Sequence, residues 1–82
     1  MIAITVKLFS AYQEAYGQSE VRLEVPDGTT VKQVGDRIRD PFPALQALTE
    51  VTRYGINLTF VEPETPLQDG DEVVLIPPVS GG

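Results

Sequence analysis

The sequence predicts an α+β domain in which one mixed sheet carries the main helix across one face. Apolar and polar residues alternate along residues 2–8 and 21–25, which is the period of a β-strand. Residues 73–76 are apolar at every position, which is typical of a strand inside a sheet. Between them, residues 31–38 repeat apolar side chains at helical spacing. A chain of 82 residues has room for only one such domain.

The first strand leads into a short helix and then into a second strand. The sequence predicts a helical segment over residues 10–16, with Ser10 as the N-cap and Gly17 as the C-cap. The strand over residues 21–25 follows so closely that the two strands are expected to pair antiparallel.

The main helix begins at a capping box formed by Thr30 and Gln33. It should end at Asp40, because the residue before a proline is pushed out of the helical region. Its polar residues are expected to face solvent: Lys32, Asp36, Arg37 and Arg39.

The second half of the chain predicts one more short helix and the last strands. Residues 43–50 favour a helical piece, and residues 51–61 favour one strand or two short ones around Asn57. The apolar run at residues 73–76 is expected at the sheet centre, beside the first strand.

The composition excludes most catalytic chemistry. The chain has no Cys and no His, so it has neither thiolate nor imidazole for catalysis or metal binding. Its net charge of −6 argues against nucleic-acid binding and favours a partner with a basic surface. No run of residues resembles a signal peptide or a membrane span, so a cytoplasmic location without membrane contact is expected.

The acidic residues are concentrated towards the C-terminus. No Lys or Arg follows Arg53, and a solvated face and a contact for a basic partner explain this equally well. The acidic residues there are Glu62, Glu64, Asp69, Asp71 and Glu72. Asp69-Gly70 is interpreted as a turn, because the spacing of a calcium loop is missing. The tyrosines are interpreted as residues of the surface or the core edge: Tyr12, Tyr16 and Tyr54.

The C-terminus predicts an extended arm. We divide the chain into a domain over residues 1–76 and an arm over residues 77–82. Pro77 and Pro78 hold the backbone extended, and Gly-Gly can pass through a channel too narrow for a Cβ. A terminal Gly-Gly arises by chance in about one chain in two hundred. The one reactive group that this arm presents is the Gly82 carboxylate.

Two motifs near the C-terminus resemble those of the small subunits of molybdopterin synthase. These are ubiquitin-like sulfur carriers of the β-grasp fold, and the resemblance covers the full length. The motifs are the sequence Asp-Gly-Asp-Glu-Val at residues 69–73 and the sequence Pro-Pro-Val-Ser-Gly-Gly at residues 77–82. Residues 75–76 depart from the pattern, since relatives often carry aromatic residues just before the prolines.

The resemblance implies a sulfur carrier that is not itself catalytic. An enzyme similar to ubiquitin-activating enzymes would use ATP to adenylate the Gly82 carboxylate, and a sulfur donor would convert it to a thiocarboxylate. The arm would then enter the large subunit and give sulfur to a cyclic pyranopterin precursor of the molybdenum cofactor. The complex would be a heterotetramer, and no cofactor would stay bound to the chain.

The same resemblance assigns the site residues. Gly82 would carry the sulfur, Gly81 would provide clearance, and Phe9 and Ile76 would belong to an apolar docking surface. The inserted arm would consist of Pro77, Pro78, Val79 and Ser80. The alternatives are a sulfur carrier for thiazole synthesis or tRNA thiolation, a ubiquitin-like modifier of lysines, and a plain interaction domain.

Overall fold

A computed structural model describes residues 1–78 and contains one five-stranded sheet with three helices. The strands are β1 (Ile2–Leu8), β2 (Glu20–Val25), β3 (Arg53–Ile56), β4 (Thr59–Val61) and β5 (Glu72–Ile76). The helices are α1 (Ala11–Tyr16), α2 (Val31–Arg39) and α3 (Pro43–Gln46). The strand order is β2-β1-β5-β3-β4, and β1 and β5 run parallel while the other neighbours are antiparallel. This is the ubiquitin-like β-grasp arrangement, so the predicted α+β fold is confirmed.

The apolar C-terminal strand lies at the centre of the sheet, as the sequence predicts. β5 pairs with β1 on one edge, where Val73 lies beside Val6. It pairs with β3 on the other edge, where Leu75 lies opposite Tyr54. Val73 and Leu75 are completely buried, so alternate residues of β5 face the core. The core also contains Ile4, Val6, Leu8, Val25, Val31, Val34, Ile38 and Leu45.

The predicted caps are confirmed in two of three cases. The Gln33 backbone N–H donates to Oγ1 of Thr30 (3.2 Å), and the Thr30 N–H donates to Oε1 of Gln33 (2.9 Å). Gly17 ends α1 in the left-handed region, with φ of 69°. Ser10 precedes α1, but its side chain makes no capping hydrogen bond and its φ of 48° is unusual for an N-cap.

The expectation that Arg39 faces solvent is wrong, because this side chain is only 1% exposed. Its guanidinium donates to the hydroxyls of Tyr12 (3.1 Å) and Tyr54 (3.0 Å) and to the Asp36 carboxylate (2.8 Å). Arg39 lies one helical turn after Gly35, and a Cβ on Gly35 would lie 3.1 Å from Nη1 of Arg39. Because Gly35 has no Cβ, the Arg39 guanidinium can lie against the helix at this position.

The tyrosine prediction is wrong for two of the three rings. Tyr12 and Tyr54 belong to the core, because Arg39 gives their hydroxyls a buried hydrogen-bond partner. The Tyr12 hydroxyl also lies 2.7 Å from Oγ1 of Thr52. Burial alone would lower the pKa of Arg39, but its hydrogen bonds with Tyr12, Asp36 and Tyr54 raise it. The group therefore stays charged and ties α2 to α1 and β3.

Arg39→Ala is expected to lower the free energy of unfolding by about 3 kcal/mol, because it leaves a cavity and an unpaired tyrosine hydroxyl. Urea denaturation followed by circular dichroism measures this. Arg37→Ala is the matched control on the exposed side of the same helix, and it should cost less than about 1 kcal/mol. Equal losses in the two variants would contradict the role given to Arg39.

Gly35→Ala is expected to destabilise the domain by about 1–3 kcal/mol, although alanine is the better helix former. An added Cβ would lie 2.8 Å from Cε1 of Tyr54, whose ring is held by its hydrogen bond to Arg39. The melting temperature measures the effect, and a rise would show that the ring moves aside freely.

Candidate functional site

The C-terminal arm leaves the domain from the central strand. β5 ends at Ile76, after which Pro77 is buried and Pro78 is exposed. A hollow of about 530 Å³ lies at this point, between Pro77 and the segment that contains Glu50 and Arg53. The remaining residues assigned to the arm lie outside the described part of the chain: Val79, Ser80, Gly81 and Gly82. The roles given to them stay predictions, and so does the domain boundary at residue 77.

An exposed apolar surface lies on the side of the sheet that faces away from the core. Because Val73 and Leu75 point inward, the alternation of β5 places Val74 and Ile76 on the opposite side. Gly55 lies opposite Val74 in the β3–β5 ladder and opposite Phe60 in the β3–β4 ladder. An apolar hollow of about 200 Å³ lies here. We call this surface the apolar face and define it as Gly55, Leu58, Phe60, Val74 and Ile76.

Two residues of the apolar face are unusually exposed. Phe60 is 69% exposed and Leu58 is 91% exposed. Single exposed apolar residues are ordinary, but a contiguous group around a hollow marks an interaction surface. Neither residue is predicted from the sequence as a site residue, because the pattern of residues 51–61 indicates only one strand or two short ones. The available signal was the turn at Asn57, which separates two strands and places Leu58 at its tip.

The structure places the two predicted docking residues at the same end of neighbouring strands. Ile76 lines both the apolar face and the hollow at the base of the arm. Phe9 directly follows Leu8, which lies beside Leu75 in the parallel ladder, so Phe9 is level with Ile76. Phe9 is 47% exposed. A protein that binds the arm would therefore meet these two side chains together.

Charged groups border the apolar face. Lys7 lies beside Val74 in the ladder and forms an ion pair of 2.9 Å with Glu20. The hydrogen bond with Glu20 raises the pKa of Lys7, so the lysine is charged at neutral pH. On the other side, the exposed Arg53 lies opposite Ile76. Such a charged rim around an apolar centre is typical of protein–protein interfaces.

The acidic turn before β5 has a structural role. Asp69 accepts a hydrogen bond from the Ala3 N–H (2.8 Å), which fixes the turn against β1. Asp71 accepts from the Gln68 N–H (2.8 Å) and from Nδ2 of Asn57 (3.1 Å). The interpretation of Asp69-Gly70 as a turn is confirmed. A contact for a basic partner stays a prediction, and its exposed candidates are Glu62, Glu64 and Asp69.

The described residues form a surface that is suited to protein recognition. Among residues 1–78, no three His, Cys, Asp or Glu side chains are placed to hold a metal ion. The longest helix in this part of the chain has nine residues, and none is long and apolar enough to cross a membrane. The chemistry open to this arrangement is docking through the apolar face, with the arm beginning at its edge.

A β-grasp domain whose central strand leads into a Gly-Gly sequence falls within the class of ubiquitin-like proteins. The sequence model of the ThiS family matches residues 6–82, and the chain belongs to this family. It is 35% identical to the molybdopterin synthase sulfur carrier subunit of Chlamydomonas reinhardtii, over 96% of this chain and 98% of the relative.

Several solved structures share the fold. The solution structure of small archaeal modifier protein 1 from Methanosarcina acetivorans has a TM-score of 0.79 and 31% identity, covering 100% of this chain and 98% of that one. A chain in the complex of subunits 1 and 2 of molybdopterin-converting factor from Helicobacter pylori has a TM-score of 0.67 and 24% identity. This match covers 99% of this chain and 100% of that one.

Proposed function

We propose that this chain is the sulfur carrier subunit of a molybdopterin synthase. The observation that carries the proposal is the continuity of the apolar face with the base of the Gly-Gly arm through Ile76. A carrier needs both parts, because the arm delivers a reactive group and the face holds the domain on its partner. The relative from Chlamydomonas reinhardtii, whose name states this function, aligns with nearly the whole chain and supports the proposal.

The sulfur is loaded at the Gly82 carboxylate in two steps. A carboxylate oxygen attacks the α-phosphorus of ATP on an activating enzyme, pyrophosphate leaves, and an acyl-adenylate forms. A sulfide equivalent from a sulfur donor then attacks the acyl carbon, and AMP leaves. Adenylation is needed because a free carboxylate is a poor electrophile. The product is a thiocarboxylate, which is ionised and nucleophilic at neutral pH. The activating enzyme uses ATP, and this chain binds no permanent cofactor in the proposal. Because loading needs ATP, we place the chain in the cytoplasm.

Sulfur delivery takes place on the large subunit. The thiocarboxylate sulfur attacks a carbon of the cyclic pyranopterin precursor, an oxygen substituent of that carbon leaves, and the new C–S bond makes a thioester with Gly82. Water then hydrolyses the thioester, which leaves the sulfur on the precursor and restores the Gly82 carboxylate. Two such transfers supply the two sulfurs of the dithiolene. The acid–base residues belong to the large subunit, since this chain has neither His nor Cys.

The apolar face is the docking surface for the large subunit. Phe60, Val74 and Ile76 provide an apolar centre, and the charged rim at Lys7 and Arg53 fixes the orientation. The Helicobacter pylori protein of the same fold is present in a two-subunit complex, which supports an assembly of this kind. In the proposed heterotetramer, two copies of this chain bind a dimer of the large subunit.

Reconstitution tests the proposal. The thiocarboxylated chain is mixed with the large subunit from the same source and the cyclic pyranopterin precursor, and the dithiolene product is detected by chromatography. The carboxylate form of the same chain is the control. We expect product with the thiocarboxylated chain and no product with the carboxylate form. No complex and no product with either form would contradict the proposed function.

A protein modifier is the second candidate, because the Methanosarcina acetivorans structure that shares this fold carries the name of a modifier protein. The same Gly82 acyl-adenylate would then react with a lysine amine to form an isopeptide bond. Digests of cellular proteins would contain lysines with a Gly-Gly remnant. A sulfur carrier without this second role leaves no such branched peptides.

A further inference from the structure

The turn between β3 and β4 contains a leucine in an unfavourable backbone conformation. Asn57 and Leu58 alone connect the paired residues Ile56 and Thr59, and their φ angles are +49° and +71°. Positive φ at both central residues is characteristic of a type I′ turn, which favours Asn followed by Gly. A leucine in the left-handed region is strained, because its Cβ crowds the following carbonyl oxygen.

Only the first of these two residues is explained by the fold. The backbone N–H of Asn57 donates to the Glu72 carbonyl (2.9 Å), and its Oδ1 accepts from the Glu72 N–H (3.0 Å). Asn57 therefore attaches the turn to the start of β5. The Leu58 side chain is 91% exposed and buries almost no apolar surface. Glycine at this position would relieve the strain without losing a contact of the core.

Leu58 belongs to a surface that a partner of the arm must cover. It lines the same hollow as Phe60 and Ile76, and Ile76 also lines the base of the arm. Leu58 lies at the tip of the hairpin, whereas Ile76 marks the opposite end of the apolar face. A protein that receives the arm and covers the whole apolar face therefore contacts Leu58 as well as Ile76.

We propose that Leu58 is a binding contact that inserts its side chain into an apolar recess of the large subunit. The strained turn projects the side chain away from the domain, where it becomes buried only in the complex. This inference rests on the proposed function, because it names the large subunit as the occupant. Backbone strain at a site of contact rather than in the core is the expected pattern for a binding residue.

Leu58→Gly separates binding from stability. It is expected to raise the melting temperature by about 4 °C, because glycine fits the left-handed position. The same change is expected to weaken binding of the full-length chain to the large subunit by about tenfold. Leu58→Met is the matched control, because it keeps an apolar side chain and the strain. It should bind within about twofold of the wild type with an unchanged melting temperature. Calorimetry measures both quantities.

Each other outcome overturns part of the account. If the wild type binds and Leu58→Gly binds equally well, the contact is absent and the proposed function is unaffected. If the wild type itself does not bind the large subunit, the proposed function and this inference both fail. A lower melting temperature for Leu58→Gly would show that the turn is not strained. If the wild type forms dimers and Leu58→Gly does not, while both bind the large subunit equally well, a second copy of this chain is the occupant and the inference is overturned.

Discussion

A chain without Gly82 is expected to lose sulfur transfer completely. In the proposed mechanism the Gly82 carboxylate carries the sulfur, and without Gly82 the carboxylate of the shortened chain lies one residue too short to reach the same position. The buried core that the structure describes extends from Ile4 to Leu75, and we expect the fold to be unchanged. Activity is measured as dithiolene product in the reconstituted reaction.

Two companion measurements make this result specific. The melting temperature of the shortened chain should match that of the wild type within about 1 °C. Ser80→Ala is the control within the arm, and it should retain most of the activity because no step uses its hydroxyl. Sulfur transfer by the chain without Gly82 would contradict the carrier account.

Phe60→Asp is expected to weaken binding to the large subunit by about a hundredfold or more. The substitution puts a carboxylate at the centre of the apolar face, and burying it in the complex without a partner costs several kcal/mol. Phe60 is 69% exposed, so the free domain should lose little stability. The dissociation constant is measured by calorimetry, and circular dichroism checks the fold.

Arg22→Asp is the matched control for the docking face. Arg22 is exposed on β2 at the edge of the sheet, where it pairs with Thr5 in the ladder, outside the apolar face. The variant receives the same carboxylate on the sheet and changes the net charge even more, by two units against one for Phe60→Asp, but it should bind within about threefold of the wild type. If the two variants weaken binding equally, long-range charge and not the apolar face governs docking.

The sequence predicts the elements whose signals are local. Alternation predicts β1 and β2, the capping box predicts the start of α2, and the continuous apolar run predicts β5 at the sheet centre. In each case residues close together in the chain meet one requirement, such as burial of every second side chain or a hydrogen bond at the first turn of a helix. These elements were sufficient to predict the α+β fold.

The features that the sequence did not predict depend on contacts between distant segments. Arg39 is buried because Tyr12 and Tyr54 provide its partners, and these residues lie 27 and 15 positions away. A charged residue on a helix gives no local sign that it has such partners. Phe60 and Leu58 form a surface only when β4 folds beside β3 and β5, so their shared exposure is visible only in three dimensions.

The docking role predicted for Phe9 and Ile76 stays a prediction. Ile76 and Phe9 are level at one end of the sheet, next to the base of the arm, and this agrees with a shared docking role. The acidic motif at residues 69–72 was open to two interpretations. Asp69 and Asp71 fix the turn that precedes β5, a function that depends on backbone groups of β1 and of the turn itself.

Mass spectrometry of the intact chain isolated from cells tests the central claim most directly. The account predicts a fraction of molecules in which one oxygen is replaced by sulfur, and fragmentation should place the change at Gly82. This fraction should disappear when the activating enzyme is removed. A C-terminus that remains a carboxylate in every molecule, in cells that make the molybdenum cofactor, would contradict the account.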